Sequence, residues 1–104
     1  MILIYSTFPT LAEARKCAKA LVSRRLAACV NLLPPMESHY FWKGKLKRSK
    51  EVALLAKCPR THAVRVKKFL ELNHPFETPA ILGFRPELVN KSFRKWVTKE
   101  ASGT

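Results

Sequence analysis

Aspartate and glutamine are both absent from these 104 residues, and seven glutamates stand against twenty lysines and arginines. The deficit of acid leaves a formal charge of +13, a field that attracts polyanions or acidic surfaces and opposes compaction. Charge alone names no partner, because lysine and arginine are spread over every segment, as on a solvated basic surface. Cysteine is scarce too. Cys17, Cys29 and Cys58 are too few and too scattered for a disulfide framework, and we read them as reduced thiols. There is no C-x-x-C, H-x-x-x-H or H-x-H spacing, so any copper- or zinc-class site has to be assembled across the fold or between subunits. Nothing marks a nucleophile with its base, and no glycine-rich loop is present to cradle phosphate, so the chain is not expected to be an enzyme. No apolar run approaches the roughly 18 residues of a membrane span, and no basic leader precedes the first strand. A cytoplasmic protein with no membrane partner is expected.

What is present is organised around Leu26 to Cys58, LAACVNLLPPMESHYFWKGKLKRSKEVALLAKC. We read two antiparallel strands joined around Gly44. The first arm, from about Ala28 to Trp42, far exceeds the usual strand of about 5–6 residues and so projects beyond its own sheet. Pro34 and Pro35 cannot donate ladder hydrogen bonds, which predicts a bend or bulge where the strand leaves the body. Beyond them Met36, Ser38, Tyr40 and Trp42 alternate with Glu37, His39, Phe41 and Lys43, placing aromatics on both faces. A lone hairpin would leave these rings wet. Further copies of the same chain would cover them.

The remainder reads in order. Ile2 to Phe8 is a buried strand. Thr10 and Glu13 form a capping box for a helix with an inner stripe of Leu11, Ala14, Ala18, Leu21 and Val22, Cys17 lying on its flank. After Pro59, Thr61 is expected to cap a second helix running to about Asn73, with Ala63, Val66, Phe69 and Leu70 inward. His74-Pro75-Phe76-Glu77-Thr78-Pro79 is a rigid connector to a strand from Ala80 to Phe84. Leu88, Val89, Phe93, Trp96 and Val97 outline a closing helix. The order predicts an α+β fold, a single domain over residues 1–104. It is a ferredoxin-like split βαβ sandwich with a four-stranded antiparallel sheet, a long hairpin between the second and third strands, and an additional C-terminal helix.

Four segments then stand in a familiar order: Arg25 through Asn31, Tyr40 through Lys45, Glu51 through Lys57, and His74 through Pro79. Together they resemble the CutA family of divalent-cation tolerance proteins over nearly the whole chain. The resemblance implies a ferredoxin-like subunit, a compact homotrimer built through the long hairpins, and an association with copper or another divalent cation. It places His74, Glu77 and Cys29 as metal candidates, and Tyr40, Trp42 and Lys57 at an interface or pocket between subunits. A small anionic ligand is a further possible partner. The chain departs from the family pattern at Lys43, Lys47 and Arg48, where acids are common, at Ala80 in place of glutamate, at Tyr5 in place of a cysteine, and at Phe76 in place of tyrosine.

For His74 the competing reading is a helix-terminating residue that bonds the backbone or Glu77. His62 reads as a surface residue, His39 as an interface or metal residue on the projecting arm, and Cys29 as packing. The alternative function is nucleic-acid binding: Tyr40, Phe41 and Trp42 beside Lys43, Lys45, Lys47, Arg48 and Lys50 interleave stacking groups with phosphate-neutralising charge. Against it, the RNA-recognition signature is missing from Glu51 to Ala56.

Overall fold

The structure, a computed structural model, describes residues 1–102. Ile2–Phe8 forms β1, Leu11–Ser23 α1, Cys29–Leu32 β2, Met36–Trp42 β3, Lys45–Cys58 β4, Ala63–Asn73 α2, Ile81–Phe84 β5 and Lys91–Ser102 α3. The strands lie side by side in the order β2, β4, β1, β5, all antiparallel, with β3 continuing along β4 beyond β2. This is the expected split βαβ sheet of four strand positions, made of five strands because the first hairpin arm is cut in two.

The cut falls at the prolines. Leu32 pairs with Leu54 and Met36 pairs with Glu51, so Leu33, Pro34 and Pro35 oppose only Val52 and Ala53. One extra residue on one strand is a β-bulge, and it inverts the side-chain parity of everything after it. The arm of 28–42 is thus interrupted by the bulge that the two prolines predict, and forms two strands rather than one long one. The partner strand is continuous: β4 runs 14 residues, about 46 Å at about 3.3 Å per residue, which spans the 47 Å long axis of the molecule. At the ribbon tip Lys43 and Gly44 both take positive φ, 50° and 78°, the backbone of a two-residue hairpin turn that glycine favours.

Helices α1 and α2 cover one face of the sheet. Ala14, Cys17 and Leu21 of α1 and Val66 and Leu70 of α2 pack with Ile4, Phe8, Val52, Leu54, Ala56 and Cys58. Burying a side chain such as Phe8 or Leu21 contributes about 1.5–3 kcal/mol. Thr10 accepts the Glu13 N–H at 3.2 Å, as the capping box required. The inner stripe is narrower than expected, however: Leu11 and Val22 are exposed and Cys17 is buried.

α1 ends in a Schellman motif. The Leu26 N–H bonds Leu21 O and the Arg25 N–H bonds Val22 O, each at 3.0 Å, with Arg25 at φ +59° where glycine is usual. Thr61 does not cap α2; a 3-10 turn, Arg60–His62, leads into it and the side chain of His62 makes no cap bond. Instead the His62 ring donates Nδ1–H to Leu26 O, 3.1 Å away. Leu88 and Val89 lie before α3 rather than in it. Val97 and Ala101 of α3 pack with Ala28, Met1 and Phe93 across the end of the sheet, and Arg25 pins the helix by donating to Glu100 O at 2.7 Å and to its carboxylate at 3.2 Å.

Candidate functional site

Directly opposed residues on antiparallel strands share a face. Following that rule from the core, Ile4, Phe8, Val52, Leu54 and Ala56 point at the helices, and the alternating set points the other way. On this second face one row runs Cys29, Lys57, Leu3, Phe84 and the next runs Asn31, Leu55, Tyr5, Leu82. Leu82 and Phe84 are 47% and 52% exposed. The bulge carries Met36, Ser38, Tyr40 and Trp42 onto the same face, where Tyr40 opposes Lys47 and Trp42 opposes Lys45. Tyr40 Oη sits 3.3 Å from Ser49 Oγ, and the Lys43 ammonium lies 5.8 Å from the Trp42 ring centre.

The nominated residues therefore divide. Cys29 and Lys57 are cross-strand neighbours, and Tyr40 and Trp42 extend their face along the ribbon. His74 lies on the other side of the sheet, at the end of α2, against Ser6 and Phe8. Within one chain His74 and Cys29 are thus separated by the sheet and cannot share an ion. Glu77 is exposed and, among the described residues, makes no hydrogen bond or ion pair. No group of three histidine, cysteine or glutamate side chains is placed to hold a metal among the described residues.

His74 is engaged through both ring nitrogens. The Phe76 N–H donates to Nδ1 at 3.1 Å, which leaves the proton of the neutral ring on Nε2, 3.2 Å from Ser6 Oγ. The backbone at His74 is extended, φ −87° and ψ 137°, as its position before Pro75 requires. Burial lowers its pKa, against opposing pulls from a Thr7 backbone hydrogen bond and the Glu13 and Glu51 carboxylates. Its partner is the backbone of the connector and Ser6, not Glu77. Burial likewise raises the Cys17 thiol, and pushes Cys58 up to about 11. Neither buried thiol has the depressed pKa of a reactive one.

Two features escaped the sequence reading. Ser6 is fully buried, and its signal was a polar residue at a core-facing position of an otherwise apolar strand. The pairing of His39 Nε2 with Glu37 Oε1 at 2.7 Å follows from their i, i+2 spacing on one face. That face of the ribbon also carries Phe41 and Leu46, opposite one another and 73% and 71% exposed. Both outer edges of the sheet, β5 on one side and β2 with β3 on the other, lack a strand partner among the described residues.

A ferredoxin-like sandwich with an exposed second face, two free edges and an aromatic ribbon projecting past its body defines a small α+β protein of the ribbon-bearing kind. The chain belongs to the CutA1 divalent ion tolerance protein family, whose model matches residues 2–100. It is 35% identical over 100 residues to the divalent-cation tolerance protein CutA of Pyrococcus horikoshii, covering 96% of this chain and 97% of that one. Its fold superposes on the divalent ion tolerance protein CutA1 of Ehrlichia chaffeensis with a TM-score of 0.93 at 28% identity, over 96% and 94% of the two chains. It also matches the periplasmic divalent cation tolerance protein CutA of Archaeoglobus fulgidus, with a TM-score of 0.92 at 33% identity over 97% and 99%. None of these three is named for nucleic-acid binding, and that alternative gains nothing from them. No helix among the described residues is long and apolar enough to cross a membrane.

Proposed function

We propose that three copies of this chain close into a ring, and that the trimer serves divalent-cation tolerance by binding copper(II) at its subunit seams. The observation that carries the assembly is the pair of unpartnered edges. β5 and the β2–β3 edge are different surfaces of one chain, so joining them makes a head-to-tail contact, which ends only when the rotation closes a ring. Such closure covers the strand edges that would otherwise template aggregation. It also brings the ribbon of one chain, with Tyr40 and Trp42, over the Leu82 and Phe84 face of the next.

Among first-row divalent cations copper(II) binds a given site of nitrogen and oxygen donors most tightly. His39 with Glu37 offers two such donors on the exposed ribbon, to be completed from a neighbouring chain or by water. Cys29 and Glu77 can join only from another subunit, and His74 only by giving up a present hydrogen bond. The reading contains no catalytic step, in keeping with a family named for tolerance rather than for a reaction. Three free cysteines fit a reducing, cytoplasmic setting.

Sedimentation velocity of the purified chain at micromolar concentration tests the assembly: a single species of three chains is expected, and a folded monomer overturns it. Calorimetric titration with copper(II) tests the site. His39→Ala should weaken saturable binding and His74→Ala should change it less; identical isotherms for wild type and His39→Ala reject the ribbon as the place of binding.

A further inference from the structure

We propose that the cleft between the end of β5 and the start of α3 binds a small phosphorylated molecule, its phosphate held by Arg85 and Arg94. The cleft has a volume of about 570 Å³ and is lined by Met1, Arg85, Pro86, Glu87, Val89 and Arg94. That size suits a small organic ligand, since such sites span roughly 300–1,000 Å³. Its lining has two parts. Met1, Pro86 and Val89 are its apolar residues, and Arg85 and Arg94 its cationic ones.

Both arginines stand next to fixed elements. Arg85 directly follows β5, which is hydrogen-bonded to β1 from Ile81 to Phe84. Arg94 lies in the first turn of α3, its backbone N–H bonded to Asn90 O at 3.2 Å, and α3 is anchored by buried Val97 and Ala101. Neither guanidinium makes a hydrogen bond or ion pair among the described residues. The ion pair found there is Arg25 with Glu100, beside the His39–Glu37 hydrogen bond, and Glu87 pairs with neither arginine of its own cleft.

In a chain of net charge +13 a solitary unpaired cation has no special meaning. Two planar forks sharing one concavity differ, because they repel each other until an anion lies between them. A tetrahedral dianion with several oxygens can accept bidentate bonds from each fork, which a halide cannot. The surrounding positive field raises the local concentration of such anions. An organic group attached to the phosphate would meet Met1, Pro86 or Val89. Glu87 opposes the anion and moderates its affinity. The inference uses neither the ribbon nor a metal, although Arg85 adjoins the β5 edge that the trimer reading joins to a neighbour.

The test is calorimetric titration of the full-length protein with phenyl phosphate and with inorganic phosphate at constant ionic strength. One saturable site per chain is expected, with phenyl phosphate the tighter ligand. Arg85→Ala and Arg94→Ala should each weaken it by about ten- to a hundredfold, the range for losing a hydrogen bond to a charged group. Arg85→Lys, which keeps the charge and loses the fork, should also weaken it. Glu87→Gln should tighten it, while Lys67→Ala, on the exposed side of α2, should leave it unchanged. Sedimentation of every variant controls for folding. Absence of saturable heat, or equal losses in Lys67→Ala and Arg85→Ala, would overturn the proposal in favour of diffuse charge attraction. So would binding seen only with vesicles containing phosphatidic acid.

Discussion

The imidazole of His74 stacks on the ring of Phe8, centroids 4.3 Å apart and planes 19° apart, with Nε2 3.2 Å from the hydroxyl of Ser6. Ser6 and Phe8 lie on the core-facing side of β1, 68 residues from His74 in the case of Ser6. The contact therefore ties the end of α2 and the rigid connector to the central strand. Removing the ring leaves a buried hydroxyl without its partner and an apolar ring without its stack. His74→Ala should destabilise the fold by about 2–4 kcal/mol, the cost of a core cavity plus an unsatisfied polar group. Urea unfolding at one fixed protein concentration measures it; a loss within experimental error would show the ring to be peripheral.

The same residue sets a pH dependence. Burial holds the folded-state pKa of His74 below its ordinary 6.5, so as pH falls the unfolded chain takes up the proton first. Stability from this group is complete above about pH 6.5 and is lost as pH falls from there through the folded value. His74→Gln, which has no titrating proton, should show a flatter stability profile between neutral and mildly acidic pH. A variant profile parallel to that of the wild type would show that His74 is not its source.

Arg25 occupies a backbone position at φ +59° while holding Glu100 through its side chain. The two roles separate by substitution. Arg25→Ala loses the link to α3 and keeps the left-handed strain, whereas Arg25→Gly loses the link and relieves the strain. The glycine variant should be more stable than the alanine variant by about 1 kcal/mol. Denaturant midpoints decide the order, and alanine above glycine would mean that the motif relaxes without positive φ.

In the trimer proposed above, three chains of +13 would carry +39 formally, with few carboxylates to offset it. Screening such repulsion favours the compact assembly, while the attractive pairs it weakens are exposed ones worth at most about 1 kcal/mol each. The melting temperature should therefore rise with added sodium chloride. A falling one would place the balance with attractive contacts instead.

Much of the fold was legible because local chemistry and tertiary demand agree. β1 begins and ends where its apolar run does, Thr10 caps α1 as its spacing to Glu13 requires, and the two prolines mark the bulge. Where they disagree, the reading failed. Leu88 and Val89 have helix-compatible spacing but precede the Asn90 turn, and Arg25 takes a conformation that a search for glycine misses. The site was less legible still. Nothing local distinguishes His74 as a partner of Ser6, and His74, Glu77 and Cys29 were grouped by resemblance, with no spacing that could reveal the sheet between them.

The bulge offers the most direct test of how the ribbon is used. Leu33, Pro34 and Pro35 oppose two residues of β4, and the surplus residue bends the ribbon where it leaves the body. Deleting Pro35 lets Leu33 and Pro34 oppose Ala53 and Val52 in regular pairing, which removes the bend while Met36, Tyr40 and Trp42 keep their present β4 partners and their present face. The isolated body of the subunit keeps its core, because Ile4, Phe8, Leu21 and Leu70 are untouched. The straightened ribbon leaves the body in a different direction, so the deletion variant should retain its far-ultraviolet circular dichroism yet sediment as smaller species than the wild type, and in a Trp96→Phe background the emission of Trp42 should shift to the red. A variant that still assembles with unshifted emission would show that the bend at the bulge does not direct assembly.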